Sequence, residues 1–69
     1  MEVSARNSLK GTIKKIHPGA VNSEVILEIV PGVEVTAIIT KESVEHLQLQ
    51  EGKQANAVIK ASDVIIATE

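Results

Sequence analysis

The stretch VSARNSLKGTIKKI, residues 3–16, decides the fold. One parity carries Val3, Ala5, Leu9, Gly11 and Ile13, while the other carries Ser4, Arg6, Ser8, Lys10, Thr12 and Lys14. Successive side chains of a β-strand point to opposite faces, so this alternation predicts a half-buried strand with a polar outer face. Asn7 is the misfit, because it falls on the apolar parity beside the Ser-Arg pair. An amide at such a position is either satisfied by backbone groups or directed at a ligand.

Working outward, His17-Pro18-Gly19-Ala20 carries the Pro-Gly punctuation of a turn. A second strand is expected from Val21 to Val30, with Val21, Val25, Leu27 and Ile29 near one parity. The other parity mixes Asn22, Glu24 and Glu28 with Ile26 and Val30, which implies burial on both sides over part of its length. In so short a chain, a second copy is the simplest cover for that side. Pro31-Gly32 makes another turn, and Val33 to Thr40 reads as a third strand. Thr40 is placed to cap a short helix from Lys41 to about Leu47, in which Val44 and Leu47 form one buried stripe. After Glu51-Gly52 a fourth strand runs from Gln54 to Ala61, Ser62-Asp63 connects, and a fifth covers Val64 to Thr68. Three strands, a short helix and two strands is the element order of a five-stranded OB-type Greek-key barrel. The expected class is therefore all-β with one short helix.

With 69 residues the chain makes one domain, 1–69, and reads as complete. A domain of this size buries only roughly 60% of the surface that its unfolded chain exposes. Small proteins compensate with disulfides, a structural metal or oligomerisation. There is no cysteine and there are only two histidines, His17 and His46, so oligomerisation remains. The hydrophobic fraction is 43% without one aromatic residue, which leaves a core of Val, Ile, Leu and Ala.

Composition also excludes functions. The formal net charge of −2 argues against a broad positive field for a polyanion. The absence of aromatics removes the stacking platforms that OB barrels use on single strands, so no nucleic-acid partner is expected. Met1-Glu2-Val3-Ser4 lacks a leader-like pattern and no apolar run reaches membrane-span length, so a cytoplasmic protein without a membrane partner is expected. The two histidines lie in different segments without a nucleophile at a suggestive offset, which argues against an enzyme. Glu24, Glu28, Glu34, Glu42 and Glu45 are scattered along polar faces, so no metal site is expected. The Pro-Gly turns join strands to strands and make no phosphate cradle at a helix, so no catalytic cofactor is expected either.

What remains is a pair of donor-rich segments near opposite ends of the chain, Ser4-Ala5-Arg6-Asn7 and Lys60-Ala61-Ser62. If both lie on strands, Ser4 shares a face with Arg6, and Lys60 shares one with Ser62. Each pair sets a cation beside a hydroxyl with no carboxylate between them, which suits an oxyanion that only accepts hydrogen bonds. Spacing alone leaves a second reading open, that of ordinary solvated strand residues.

The residues resemble a known family. The carriers are Ser4-Ala5-Arg6-Asn7 with Leu9, Gly11 and Ile13, Glu24-Val25 through Leu27-Glu28-Ile29, Ile39-Thr40, Ser43-Val44, Leu47, Leu49 and Gly52. The pattern closes with Ala57-Val58-Ile59-Lys60-Ala61 and Val64. Over nearly its whole length the chain resembles the molbindins, small molybdate- and tungstate-binding proteins made of a single Mop domain related to TOBE domains. The resemblance implies an OB-like domain assembled as a hexamer, a trimer of dimers, with oxyanion sites between subunits. By matching position it implies Ser4, Arg6, Lys60 and Ser62 as side-chain ligands, with backbone amides near Ala5 and Ala61 assisting. Family members often carry a hydroxyl residue where this chain has Ala61, which puts the role of Ser62 in question. A second oxyanion site at a threefold axis is assigned to the turn Gly19, Ala20, Val21, Asn22 and Ser23.

The chemistry agrees. Molybdate is a tetrahedral dianion with no proton to donate near neutral pH, so a donor-only shell strands no acceptor. Phosphate usually keeps a proton, and a shell without acceptors disfavours it by roughly 1–3 kcal/mol. Sulfate has the same charge and shape, which leaves cavity size as the discriminator. A bound molybdopterin belongs to the same class of reading, but a pterin favours stacking surfaces that this chain lacks. The competing reading is a small oligomeric β-barrel that acts as an interaction or regulatory module without an anion ligand.

Overall fold

A computed structural model describes residues 4–69; Val3, the expected first residue of strand 1, lies outside the described residues. The chain forms β1 (Asn7–Pro18), β2 (Asn22–Val30), β3 (Val33–Thr40), the helix α1 (Lys41–His46) and β4 (Gln54–Ile59), followed by a 3-10 turn at Ala61–Asp63. The strands make one sheet in the order β3-β2-β1-β4, and every neighbouring pair is antiparallel.

β1 is the spine. Its first half, Asn7 to Thr12, pairs with β4, and its second half, Thr12 to Pro18, pairs with β2. The change of partner needs close approach at Gly11, where an added Cβ would lie 2.7 Å from the backbone oxygen of Glu28. Only glycine fits there, and the sheet curls at that point. The register with β2 shifts between Ile13 and Lys15, leaving Lys14 bulged. The sequence marks this place, because Lys14-Lys15 breaks the alternation.

At Pro31-Gly32 the chain makes the expected tight turn, with proline before a glycine at φ 84. This is the residue order of a type II turn, whose third position requires the left-handed region. At the other hairpin Pro18 still belongs to β1, opposite Ser23, and the turn closes one residue later through Gly19 N–H donating to Asn22 O at 2.9 Å. β2 accordingly starts at Asn22, and Val21 is 72% exposed.

α1 begins as expected, with the Thr40 hydroxyl accepting from Ser43 N–H at 3.0 Å. It ends earlier than its apolar pattern implies. Gln48 takes φ 54, its N–H donates to Glu45 O, and Leu49 N–H donates to Val44 O at 3.0 Å. That is the bond pattern of a Schellman cap, with glutamine where glycine is commonest. The cap turns Leu47 outward, to 61% exposure, and it is Leu49 that joins Val44 against the core. The expected Val44–Leu47 stripe is corrected on this ground.

The fully buried core is small: Ile13, Val25 and Leu27, with Ile16, Ile29, Ile39, Ala55 and Ala57 packed around them. Each such aliphatic side chain contributes about 1.5–3 kcal/mol when buried. The concave face is not closed over. An apolar groove of about 540 Å³ lies along it, lined by Leu27, Val35, Ile39, Ala57 and Ile59 among others.

A fifth strand is absent among the described residues. After the 3-10 turn, Val64 to Thr68 pairs with no strand, and Ile65 and Ile66 are 90% and 83% exposed. The segment is a continuous apolar run, Val64-Ile65-Ile66-Ala67, which suits a strand by residue type but carries no period of its own and has no ladder to join among the described residues. The observed fold is thus a curled four-stranded sheet with one short helix. No helix among the described residues is long and apolar enough to cross a membrane.

Candidate oxyanion site at the β1–β4 end

The antiparallel pairing of β1 with β4 ends at Asn7 opposite Ile59. The next residues outward are Arg6, Ala5 and Ser4 on one segment and Lys60, Ala61 and Ser62 on the other. A register set by core packing therefore delivers both donor segments to the same end of the sheet. Asn7 fastens that end: its Nδ2 donates to Ile59 O at 3.2 Å, across 52 residues of sequence. Of the two roles open for this amide, the structure shows the backbone-satisfying one.

Strand alternation does not position the donors. Ser4 lies in a bend before β1, and Arg6 also precedes the strand. Lys60 caps the 3-10 turn with extended backbone (φ −65, ψ 134), and Ser62 lies inside that turn. The shared strand faces expected for Ser4 with Arg6 and for Lys60 with Ser62 are corrected accordingly, because β4 stops at Ile59 and not at Ala61. The turn is held by Asp63 N–H donating to Lys60 O at 2.9 Å and Val64 N–H donating to Ala61 O at 3.3 Å, which fixes Ala61 and Ser62 directly after the end of β4.

Ser4, Arg6, Lys60, Ala61 and Ser62 are exposed, and Ala5 is half-buried. Among the described residues the ion pairs involve Lys14 and His17, and none involves Arg6 or Lys60. A solvated cation without a carboxylate partner keeps its donors available to an anion. The six residues contain no carboxylate, although Asp63 follows directly in the chain. The arrangement is an open tray of donors: neither the apolar groove nor the cleft beside Lys14 and Lys15 is lined by these residues.

The turn assigned to a second oxyanion site lies at the opposite end of β1. Gly19 N–H is already donated to Asn22 O, and Val21 O accepts from Lys41 N–H at 2.8 Å. Ser23 is 2% exposed, so its hydroxyl is withheld from solvent, while Ala20, Val21 and Asn22 are exposed. The structure keeps this turn apart from the donor tray.

The polar outer face holds a feature that alternation alone misses. Bulged Lys14 reaches Glu34 at 2.7 Å and Glu28 at 3.8 Å. The hydrogen bond from Lys14 to Glu34, then the charges of Glu34 and Glu28, raise the Lys14 pKa above its ordinary value. His17 belongs to β1 and not to a turn, with Nε2 3.9 Å from Glu24. Among the described residues no three His, Cys, Asp or Glu side chains gather as a metal site would need.

These features define a class: a small OB-like β-domain that presents a donor-rich, carboxylate-free set of residues at one end of its sheet. The chain belongs to the TOBE domain family, whose model matches residues 3–66, and within it to the single-domain Mop proteins. It is 48% identical over 66 residues to molybdenum-pterin-binding protein 3 of Clostridium pasteurianum, covering 96% of this chain and 97% of that one. Its fold matches a molybdate-binding protein from Sporomusa ovata with a TM-score of 0.91 at 34% identity, over 99% of this chain and 100% of that one. It also matches the cytoplasmic molybdate-binding protein ModG, crystallised with molybdate bound, with a TM-score of 0.89 at 54% identity over 94% of this chain and 46% of that one.

Proposed function

We propose that this chain binds molybdate, and tungstate by the same donor chemistry, reversibly and without covalent chemistry, as a cytoplasmic store. The observation that carries the reading is the β1–β4 register, which ends with Arg6 and Lys60 as the next residues on adjoining segments. Around that point stand Ser4, Ser62 and the backbone near Ala5 and Ala61, a set rich in donors and free of carboxylates. Each charge-assisted bond to the anion contributes about 1.5–3 kcal/mol net, so several are needed for useful affinity. The relatives named for molybdate supply the choice of oxyanion.

The tray is open on its solvent side, and we place its missing wall on a second copy of the chain. Surface area supports self-association. A folded monomer of this mass exposes about 4,200 Å², whereas this chain exposes 5522 Å². The excess includes exposed Ile65 and Ile66, and the groove on the concave face stands open as well. The assembly we propose is a hexamer, a trimer of dimers. The turn from Gly19 to Ser23 is carried as a second, subsidiary site, its exposed members being Gly19, Ala20, Val21 and Asn22.

Elemental analysis of protein purified after growth with molybdate tests the reading. Stoichiometric molybdenum that excess sulfate does not displace is expected. Protein free of molybdenum, and still oligomeric, would instead be a scaffold.

A further inference from the structure

We infer that Asn7 is a positioning residue of the oxyanion site: its carboxamide clamp on Ile59 O fixes the spacing between Arg6 and Lys60, and thereby the selection of the anion by size. The inference rests on the proposed site.

Asn7 occupies an inward position of β1, on the parity of Leu9, Gly11 and Ile13. An aliphatic side chain at that half-buried point would add apolar burial, whereas an amide has to be hydrogen-bonded to be tolerated. The bond it makes, Nδ2 to Ile59 O at 3.2 Å, falls on the last pair of the β1–β4 ladder. Ladder ends open most readily, because pairing supports them from one side only. Here the pair that would open first carries Arg6 and Lys60 as its immediate outward neighbours. A clamp at this place pre-orders the donors, so the anion does not have to.

The consequence reaches selectivity. Sulfate and molybdate share charge and tetrahedral shape, so discrimination depends on donors held at a fixed separation. A loosened end adapts to the smaller anion, and the larger one loses its advantage. Loss of the clamp therefore lowers both molybdate affinity and the molybdate-to-sulfate ratio, a readout that a purely structural role does not move.

The test uses the full chain with Asn7→Leu, Asn7→Asp and Arg6→Ala, titrated calorimetrically with molybdate and with sulfate, alongside melting temperature and assembly mass. Leucine removes the donor and suits the inward position; aspartate keeps the shape without the donor, and adds charge. Both Asn7 variants are expected to keep assembly mass and to bind molybdate about fivefold or more weakly, the scale of one lost hydrogen bond. The molybdate-to-sulfate ratio is expected to fall with it. Wild-type affinity and ratio in Asn7→Leu, with loss only in Asn7→Asp, overturn the inference, because charge alone would then explain the effect. Losses that track a fall in melting temperature and assembly mass overturn it too. If Asn7→Leu is silent while Arg6→Ala loses binding, the site stands and the role of Asn7 falls; if Arg6→Ala is also silent, the site itself falls.

Discussion

The two ends of β1 are built differently. At the Pro18 end, local hydrogen bonds are made within the turn and the adjoining helix cap: Gly19 N–H donates to Asn22 O, Lys41 N–H donates to Val21 O, the Thr40 hydroxyl caps α1, and Ser23 is buried beneath. At the Asn7 end, one side-chain hydrogen bond closes the ladder, and the cations beyond it are exposed. The first end is finished by its own local hydrogen bonds, while the second keeps donors in reserve. Unspent hydrogen-bonding capacity at a sheet end is where a ligand or another copy can be received. One strand thus carries the main candidate site at its Asn7 end and, at its Pro18 end, a largely self-satisfied turn proposed only as a subsidiary one.

Ile13 lies between the two ends and is 1% exposed, with its N–H and C=O bonded to Lys53 and Gly52. Ile13→Ala leaves a cavity where β1 changes partner, and about 2–5 kcal/mol of stability is expected to be lost. Chemical denaturation reads that loss, and molybdate affinity is expected to fall with it because the register on both sides depends on this point. A loss confined to one end would break the picture of β1 as a shared spine.

Thr40→Ala strikes the finished end alone. Removal of the cap is expected to cost about 1 kcal/mol, visible as a lower melting temperature with molybdate affinity at the Arg6–Lys60 site unchanged. Smallest is Gln48→Gly. Glycine adopts the positive φ of the Schellman cap without strain, and a gain of about 0.5–1 kcal/mol is expected from the same melts. A destabilised Gln48→Gly would show that the glutamine side chain has packing value the cap geometry does not reveal.

Local chemistry made much of the fold legible in sequence. The parity of residues 10–13, Pro31-Gly32 and the Thr40 cap each dictate their own conformation, and each appears as expected, whereas Leu9 on the apolar parity is 40% exposed. The fifth strand does not, because the apolar run Val64 to Ala67 states a need for cover without supplying a partner. Leu49 takes the core position expected of Leu47, because the positive φ at Gln48 turns the chain between them. Ser4, Arg6, Lys60 and Ser62 could be chosen by type, since cations and hydroxyls without carboxylates suit an oxyanion. Their meeting point could not, for it depends on a register 52 residues long in sequence. Ser4 lies in a bend, Arg6 just before β1, and Lys60 and Ser62 at a 3-10 turn, so strand faces do not pair them.

The claim that the Asn7 end of β1 receives an oxyanion is tested most directly by calorimetric titration of Arg6→Ala and Lys60→Ala with molybdate, beside the unaltered chain. Both variants are expected to stay folded and to bind at least about tenfold more weakly, which corresponds to about 1.4 kcal/mol and is within reach of one charge-assisted bond. Unchanged affinity in both would contradict the assignment.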